Sequence, residues 1–181
     1  YASGTGSAPL VFQYTIQAGD NDTDGISIGA NVLALDNGTI SDPAGNNATL
    51  THSAVLANTS YKVDTTAPTV DNFTLSDTAL KAGDNATVSL VFSEAVISFS
   101  SAADITVPNL DNGTTSGALT AMTSSDNITW AGTFTPTANT EDASNTLSLA
   151  TSWTDLAGNA GPEETTANYA IDTLLPTISS V

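Results

Sequence analysis

Apolar and polar side chains alternate with a period of two along several short segments of this chain. Three segments place these residues on one face: Phe12, Tyr14 and Ile16 within Val11–Gln17; Val88, Leu90 and Phe92; Ile128, Trp130 and Phe134. Since successive side chains of a β-strand point to opposite faces, each segment predicts a half-buried strand. Leu33 with Leu35, and Leu147 with Leu149, predict one further strand each. No window repeats apolar residues at the spacing of a helix.

Clusters of Asp, Asn and Gly separate the predicted strands. Examples are Lys81–Asn85, Asp111–Gly113 and Asp36–Gly38, and such clusters favour tight turns. Roughly seven short strands per hundred residues, separated by turns, are typical of an antiparallel Greek-key sandwich. The pattern therefore predicts an all-β fold.

Two stretches of the chain are repeated, one after 113 residues and the other after 108 residues, the separation of Asp64 from Asp172. The pair Ile40–Asn46 and Tyr61–Thr69 matches the pair Trp153–Asn159 and Tyr169–Thr177. A period of this length is domain-sized, so we expect tandem sandwiches that each have a core.

The register of the repeat predicts three segments. Residues 1–64 correspond to the C-terminal part of one domain, incomplete at its N-terminus, and residues 65–172 to a complete domain. Residues 173–181 correspond to the first strand of a following repeat.

The chain is strongly acidic, with a formal net charge of −17 and with Lys62 and Lys81 as its only Lys or Arg residues. This charge excludes nucleic acid as a partner, because phosphate binding needs a basic face, and it argues against anionic membrane surfaces. No apolar run approaches the roughly 20 residues of a membrane span, so we expect no membrane insertion. Two explanations stay open for the acids: a solvated surface, or the binding of divalent cations.

One loop has the spacing of an oxygen-rich calcium site. Asp20, Asp22 and Asp24 precede a glycine in the order D-x-D-x-D-G, and the carbonyl of Ile26 can add a ligand. The twelfth position holds Asn31 instead of Glu, so the bidentate closing ligand of an EF-hand is missing. A Ca²⁺ site and a solvated turn are both compatible with this loop.

Catalytic constellations are missing from the sequence. His52 is the only histidine, cysteine is absent, and no Gly-x-Ser-x-Gly elbow or phosphate-binding glycine loop occurs. We therefore expect no enzyme. Four residues that head an Asn-x-Ser/Thr sequon are candidates for glycosylation, with turn chemistry as the alternative explanation: Asn37, Asn58, Asn85 and Asn127.

Several motifs together carry a family resemblance: Asp64–Thr69, Phe92–Val96, Trp130–Pro136, Asp155–Asn159 and Tyr169–Asp172. They resemble the bacterial immunoglobulin-like repeats of very large secreted surface adhesins, while Tyr1–Ser7, Phe12–Asp20 and Ser41–Asn46 are similar to a sister type in the same proteins. The resemblance implies tandem immunoglobulin-like Greek-key β-sandwiches. It also implies type I secretion to the bacterial cell surface, an extracellular location and rigidification by Ca²⁺.

The topology of such a sandwich predicts a cation site where two domains join. The loops after the second and sixth strands lie at the end nearest the preceding domain, and they contain Glu94 and Asp155 to Asn159. Asp64 leaves the last strand of the preceding domain at the same junction. Asp64, Glu94, Asp155 and Asn159 can therefore surround one Ca²⁺ ion; the alternative is that Asp64 only caps a turn before Pro68.

We expect this chain to act as a structural spacer of a large adhesin, with neighbouring repeats of the same polypeptide as its partners. One alternative is a module that binds an unidentified surface glycan or protein through its apical loops, which exposed aromatic residues around Trp153 would support. Another is a filament subunit whose first domain is completed by a strand from a neighbour.

Overall fold

A computed structural model describes residues 10–178. The chain divides into two compact units, with the boundary between Thr66 and Ala67. Two predictions extend beyond the described residues: the Tyr1–Ser7 motif, and residues 179–181 of the predicted opening of a further repeat.

The described part of the first unit contains one antiparallel ladder. Strand β1 spans Ile26–Ile28 and strand β2 spans Val55–Asn58, with Ile26 opposite Asn58. A single bridge also joins Asp22 to Val63 near the end of the unit. The apolar side chains of both strands are exposed.

Two strands that the sequence pattern predicts in this unit do not form. Residues 12–17 and 32–35 have no strand, and Phe12 and Tyr14 are 55% and 73% exposed. The predictions for Val11–Gln17 and for Leu33 with Leu35 are therefore wrong. Alternation describes side chains only, whereas a strand also needs a neighbouring backbone for its hydrogen bonds.

Within residues 67–178, the second unit contains all the remaining strands and one short helix. In chain order they are β3 (Val70–Leu75), β4 (Ala79–Lys81), β5 (Ala86–Phe92), β6 (Val96–Ile97), α1 (Ser101–Asp104), β7 (Ile105–Thr106), β8 (Gly117–Leu119), β9 (Thr129–Pro136), β10 (Glu141–Asn145), β11 (Ser148–Leu149), β12 (Thr154–Asp155), β13 (Glu164–Thr165) and β14 (Tyr169–Asp172). Residues 173–178 contain no strand.

The strands of the second unit form two layers. One sheet has the order β3-β5-β9-β8. In the other layer, β10 and β11 lie opposite β14 and β13 as one interrupted antiparallel pair, with β7 beside β11. Because β5 pairs with β9 and not with the next strand in sequence, the connections cross between layers in Greek-key fashion. This arrangement confirms the predicted all-β sandwich.

One strand pair departs from the predicted antiparallel arrangement. Strand β4 pairs with β14 in parallel, with Leu80 opposite Ile171. The chain passes from the first sheet at β3 to the second layer at β4, so this short segment covers an edge of β14 that would otherwise have unpaired backbone groups.

The core lies between the two layers. Val88, Leu90 and Phe92 of β5 are at most 1% exposed, as their alternation predicts, and each buried side chain of this size stabilises the fold by about 1.5–3 kcal/mol. Across the layers, the rings of Phe134 and Tyr169 meet edge to face at 5.2 Å. The alternation thus predicts the core face of β5 correctly.

Candidate metal centre

A short antiparallel ladder at one end of the second unit positions Glu94 and Asp155, the two acids of this unit in the predicted cation site. Strands β6 and β12 pair so that Asp155 lies opposite Val96. Glu94 is two residues before Val96, in the loop that follows β5. The ladder therefore joins the loop of Glu94 to the loop of Asp155, as the sandwich topology predicts.

The loop Asp155–Asn159 wraps around the Asp155 carboxylate. One oxygen, Oδ1, accepts the backbone N–H groups of Gly158 at 2.7 Å and Asn159 at 2.8 Å, and Oδ2 accepts the side-chain amide of Asn159 at 2.7 Å. Gly158 has φ 96°, a left-handed conformation that glycine adopts without a steric cost. The sequence Ala-Gly-Asn thus folds back onto its own Asp.

Asp155 is a buried and charged group. The residue is 1% exposed. Burial acts to raise the pKa of its carboxyl, but hydrogen bonds from the Asn159 side chain and from the backbone of Asn159, Gly158 and Ala157 outweigh burial and hold the pKa below its usual value. The carboxylate is therefore ionised at neutral pH.

Glu94 brings a second carboxylate close to this charge. A carboxylate oxygen of Glu94 and one of Asp155 lie within 4.8 Å of each other. The second unit contains one basic side chain, Lys81, and its ammonium group binds Asp84 at 2.7 Å. The second unit thus places two carboxylates close together, while its one basic side chain, Lys81, forms its ion pair with Asp84.

The other two predicted ligands, Asn159 and Asp64, each form hydrogen bonds of their own. Asn159 is half-buried and donates both its backbone and its side-chain N–H groups to Asp155, so it orients that carboxylate. Asp64 is exposed in the first unit, where its Oδ1 accepts the N–H of Thr66 at 3.0 Å.

The Asp-rich loop of the first unit has a different geometry from a preformed calcium loop. Asp20 Oδ2 accepts the N–H of Gln17 and the hydroxyl of Tyr14, each at 2.7 Å, and these two hydrogen bonds hold the pKa of Asp20 below its usual value. Asp22 Oδ1 accepts the N–H groups of Asp24 at 3.2 Å and Gly25 at 2.7 Å.

Ile26 and Asn31, the other candidate ligands of that loop, form hydrogen bonds with residues farther along the chain. The Ile26 N–H donates to the Tyr61 carbonyl at 3.0 Å, and the Asn31 side-chain oxygen accepts the N–H of His52 at 2.9 Å. Within residues 10–178, Asp20, Asp22 and Asp24 do not bring oxygens within 4.8 Å of one another as a set of three.

Asp42, which is exposed, has the same local hydrogen-bond pattern as the buried Asp155. Asp42 of the first unit accepts the N–H of Asn46 at 2.8 Å through Oδ1, and the amide of Asn46 at 2.8 Å through Oδ2. These bonds hold the pKa of Asp42 below its usual value, and Gly45 has φ 90°. The repeated Asp-x-Ala-Gly-Asn motif was the signal that could have identified it.

Comparison with protein families decides the classification of the sandwich. A family model described as a bacterial Ig-like domain matches residues 64–171. The chain belongs to the bacterial Ig-like domain family. This confirms the immunoglobulin-like part of the resemblance, and the match includes Glu94, Asp155 and Asn159.

Bacterial Ig-like domains are generally non-catalytic and are often surface-exposed. No curated protein matches this bacterial Ig-like chain. Among residues 10–178, no helix has the length and apolar character needed to cross a membrane.

All four glycosylation candidates of this bacterial Ig-like chain lie at the surface: Asn37, Asn58, Asn85 and Asn127. Asn37 and Asn127 occupy turns with φ 64° and φ 59°, a conformation that Asn tolerates better than most residues. Their positions thus agree with turn chemistry, and glycosylation stays a prediction.

Proposed function

We propose that this chain is a spacer segment of a large bacterial surface adhesin, in which tandem Ig-like domains are stiffened at their junctions by Ca²⁺. The observation that carries the proposal is the pair of carboxylates from Glu94 and Asp155, held within 4.8 Å by the β6–β12 ladder. Its role is mechanical and extracellular, and its partners are neighbouring Ig-like domains.

Electrostatics favours a cation at this pair. At the upper limit of 4.8 Å for this pair, two unit negative charges repel by about 1 to 3.5 kcal/mol as the effective dielectric constant falls from that of water to about 20. Ca²⁺ takes oxygen ligands at roughly 2.3–2.6 Å, so two ligands of one ion lie at most about 5 Å apart. The two carboxylates are therefore close enough to bind one Ca²⁺ ion together, and a bound ion would offset the repulsion between them.

Asp64 is the third proposed ligand because the chain keeps it within reach of the pair. Thr69 accepts the N–H of Ser93 at 3.0 Å and donates its own N–H to the Ser93 hydroxyl at 2.9 Å. Asp64 precedes Thr69 by five residues, which span about 17 Å when extended. In the proposal, Asp64 binds the ion that Glu94 and Asp155 hold, while Asn159 orients Asp155 or adds its amide oxygen.

A second Ca²⁺ ion at Asp20, Asp22 and Asp24, with Ile26 and Asn31, is a separate proposal supported by the D-x-D-x-D-G spacing. Binding there would require Asp20 and Asp22 to exchange their present hydrogen bonds for the ion. At the junction pair, Asp155 likewise accepts hydrogen bonds through both carboxylate oxygens, from Gly158 and Asn159.

Small-angle scattering of the full chain tests the proposal. With millimolar CaCl₂ the maximum dimension should be sharply defined, and with chelator the distance distribution should broaden or shorten, because removal of the ion frees the junction. Asp64→Ala and Glu94→Gln should reproduce the chelated state in the presence of CaCl₂. Asp111→Asn, at an exposed turn, is the control and should behave as wild type. A distance distribution unchanged by chelator and by both variants would refute calcium stiffening.

One observation favours a second function, strand completion by a neighbouring molecule. The first unit exposes several large apolar side chains, among them Tyr14 at 73%, Leu56 at 84% and Tyr61 at 64%, which β-augmentation by another polypeptide would cover. Sedimentation of the full chain from micromolar to millimolar concentration tests this function: growth into oligomers favours it, and a monomer throughout favours the spacer. The glycan-binding alternative receives no such support, since Trp153 is fully buried.

A further inference from the structure

Each unit has the sequence Asp-Thr near its C-terminal end: Asp64–Thr65 follows the bridge residue Val63, and Asp172–Thr173 lies at the end of β14. In each unit the threonine hydroxyl forms hydrogen bonds with backbone groups of an earlier loop: residues 19–20 for Thr65, and residues 137–140 for Thr173. These bonds lie within one unit in each case, and they involve no carboxylate.

In the second unit, Thr173 is 5% exposed and is held against the loop of residues 137–140. Its hydroxyl donates to the Thr137 carbonyl at 2.7 Å and accepts the N–H of Thr140 at 2.9 Å. Its backbone N–H donates to the Thr140 carbonyl at 2.8 Å. The hydroxyl thus satisfies two backbone groups of the loop at once.

In the first unit, Thr65 forms the same kind of contact with residues 19–21. Its hydroxyl donates to the Asp20 carbonyl at 3.1 Å and accepts the N–H of Gly19 at 2.9 Å, while its backbone N–H donates to the Asn21 side chain at 2.9 Å. Asn21 also donates its side-chain amide to the Thr66 hydroxyl at 2.9 Å.

The aspartate before each threonine accepts a hydrogen bond from the backbone N–H two residues later in both units. Asp64 Oδ1 accepts the N–H of Thr66 at 3.0 Å, and Asp172 Oδ1 accepts the N–H of Leu174 at 3.2 Å. The two residues after each of these aspartates are therefore held by one carboxylate and one hydroxyl.

We infer that Thr65 and Thr173 are clamps that fix the direction in which the polypeptide leaves each unit, without a metal ion. The inference goes beyond calcium stiffening, because it assigns part of the rigidity of a junction to the unit that precedes it. A threonine is suited to this role: its hydroxyl both donates and accepts, and its branched β-carbon leaves few χ1 rotamers.

Amide hydrogen exchange of the full chain, measured by NMR, tests the clamp. In Thr173→Val the backbone amides of residues 140 and 173 should exchange about tenfold faster than in wild type. In Thr65→Val the amides of residues 19 and 65 should do the same. Loss of one such hydrogen bond corresponds to about that factor. Thr173→Ser and Thr65→Ser keep the hydroxyl and should stay within about twofold of wild type. Amides of β5 are the internal control and should not change, which separates a local opening from unfolding.

Two results would overturn the inference. One is an exchange rate that the valine variants leave unaltered, and the other is an equal increase in the serine and valine variants, which would assign the effect to the methyl group. The same measurements with CaCl₂ and with chelator separate this inference from the proposed function: the clamp requires the valine effect in both conditions, whereas calcium stiffening can fail in scattering while the clamp persists.

Discussion

The hydroxyl groups of Ser116 and Tyr169 lie 2.9 Å apart inside the second unit, where both residues have no exposed surface. Burial raises the pKa of the Tyr169 hydroxyl, although the Ser116 hydrogen bond acts in the opposite direction. Each hydroxyl provides the hydrogen-bond partner that the other has lost to burial. The contact ties β14 to the residue before β8.

Removal of one partner of this pair should destabilise the second unit. Tyr169→Phe leaves the buried Ser116 hydroxyl without its partner, at a cost of about 1–3 kcal/mol in the free energy of unfolding. Tyr61→Phe is the matched control, because Tyr61 has the same place in the repeat and is 64% exposed. Urea unfolding of Tyr169→Phe, Ser116→Ala and the double variant gives a coupling energy. Strict additivity of the two losses would show that the hydroxyls do not interact.

A buried aspartate connects the short helix to the loop before β12. Asp104 is 2% exposed; its Oδ2 accepts the N–H of Ser100 at 2.7 Å, and its Oδ1 accepts the hydroxyl of Ser152. Asp104→Ala removes the acceptor of both donors, so we expect a loss of about 2–4 kcal/mol. Thermal unfolding measures this loss, with Asp111→Ala at an exposed turn as a control that should change little. Equal stability of the two variants would contradict the role of Asp104.

Gly161 lies against the indole ring of Trp153, and a β-carbon at this position would overlap the ring. Because Trp153 is fully buried and cannot move without repacking the core, Gly161→Ala should cost about 1–3 kcal/mol or more. Gly158→Ala in the same loop meets no atom within 4 Å and should cost only the strain of its left-handed backbone, about 1 kcal/mol. Chemical denaturation of the two variants should therefore rank Gly161→Ala as the less stable.

The turn before β9 should make stability depend on pH. Backbone N–H groups of Thr129 and Ile128 and the Ser124 hydroxyl hold the pKa of Asp126 below its usual value. A folded-state pKa below the unfolded value stabilises the fold above the unfolded pKa, and this stability is lost as pH falls through the folded pKa. Asp126→Asn keeps a side-chain oxygen but cannot titrate. Melts from about pH 6 to pH 2 should show a smaller loss of stability on acidification in this variant than in wild type.

Calcium should raise the melting temperature if the proposed junction site exists. A ligand that binds only the folded state at a hundredfold excess over Kd stabilises it by about 2.7 kcal/mol, which corresponds to several degrees for a chain of this size. Calorimetry with CaCl₂ and with chelator measures the shift, and Glu94→Gln should reduce it. Mg²⁺ at equal concentration is the control, since it prefers smaller octahedral sites. Superimposable melts with and without Ca²⁺ would exclude the site.

The alternation of apolar residues predicted burial correctly where the segment pairs with neighbouring strands of the same unit. The alternation of Val88, Leu90 and Phe92 predicts their burial because β5 lies between β3 and β9. The same alternation at Phe12 and Tyr14 gives exposed residues outside any strand. Periodicity gives the orientation of side chains, whereas burial depends on which backbone lies alongside.

The sequence by itself determined the all-β class, the turns at Gly83 and Gly113, the repeat and the acidic composition, because each of these depends on neighbouring residues or on composition. Only the tertiary structure decided which acids meet. Glu94 and Asp155 are 61 residues apart in sequence, and the β6–β12 ladder brings their oxygens within 4.8 Å. Asp20 and Asp22 instead accept N–H and hydroxyl groups of nearby residues, and within residues 10–178 they form no group of three with Asp24 within 4.8 Å. The physical reason is that strand pairing sets distances between remote residues, while nearby acids repel and are satisfied by their own turns.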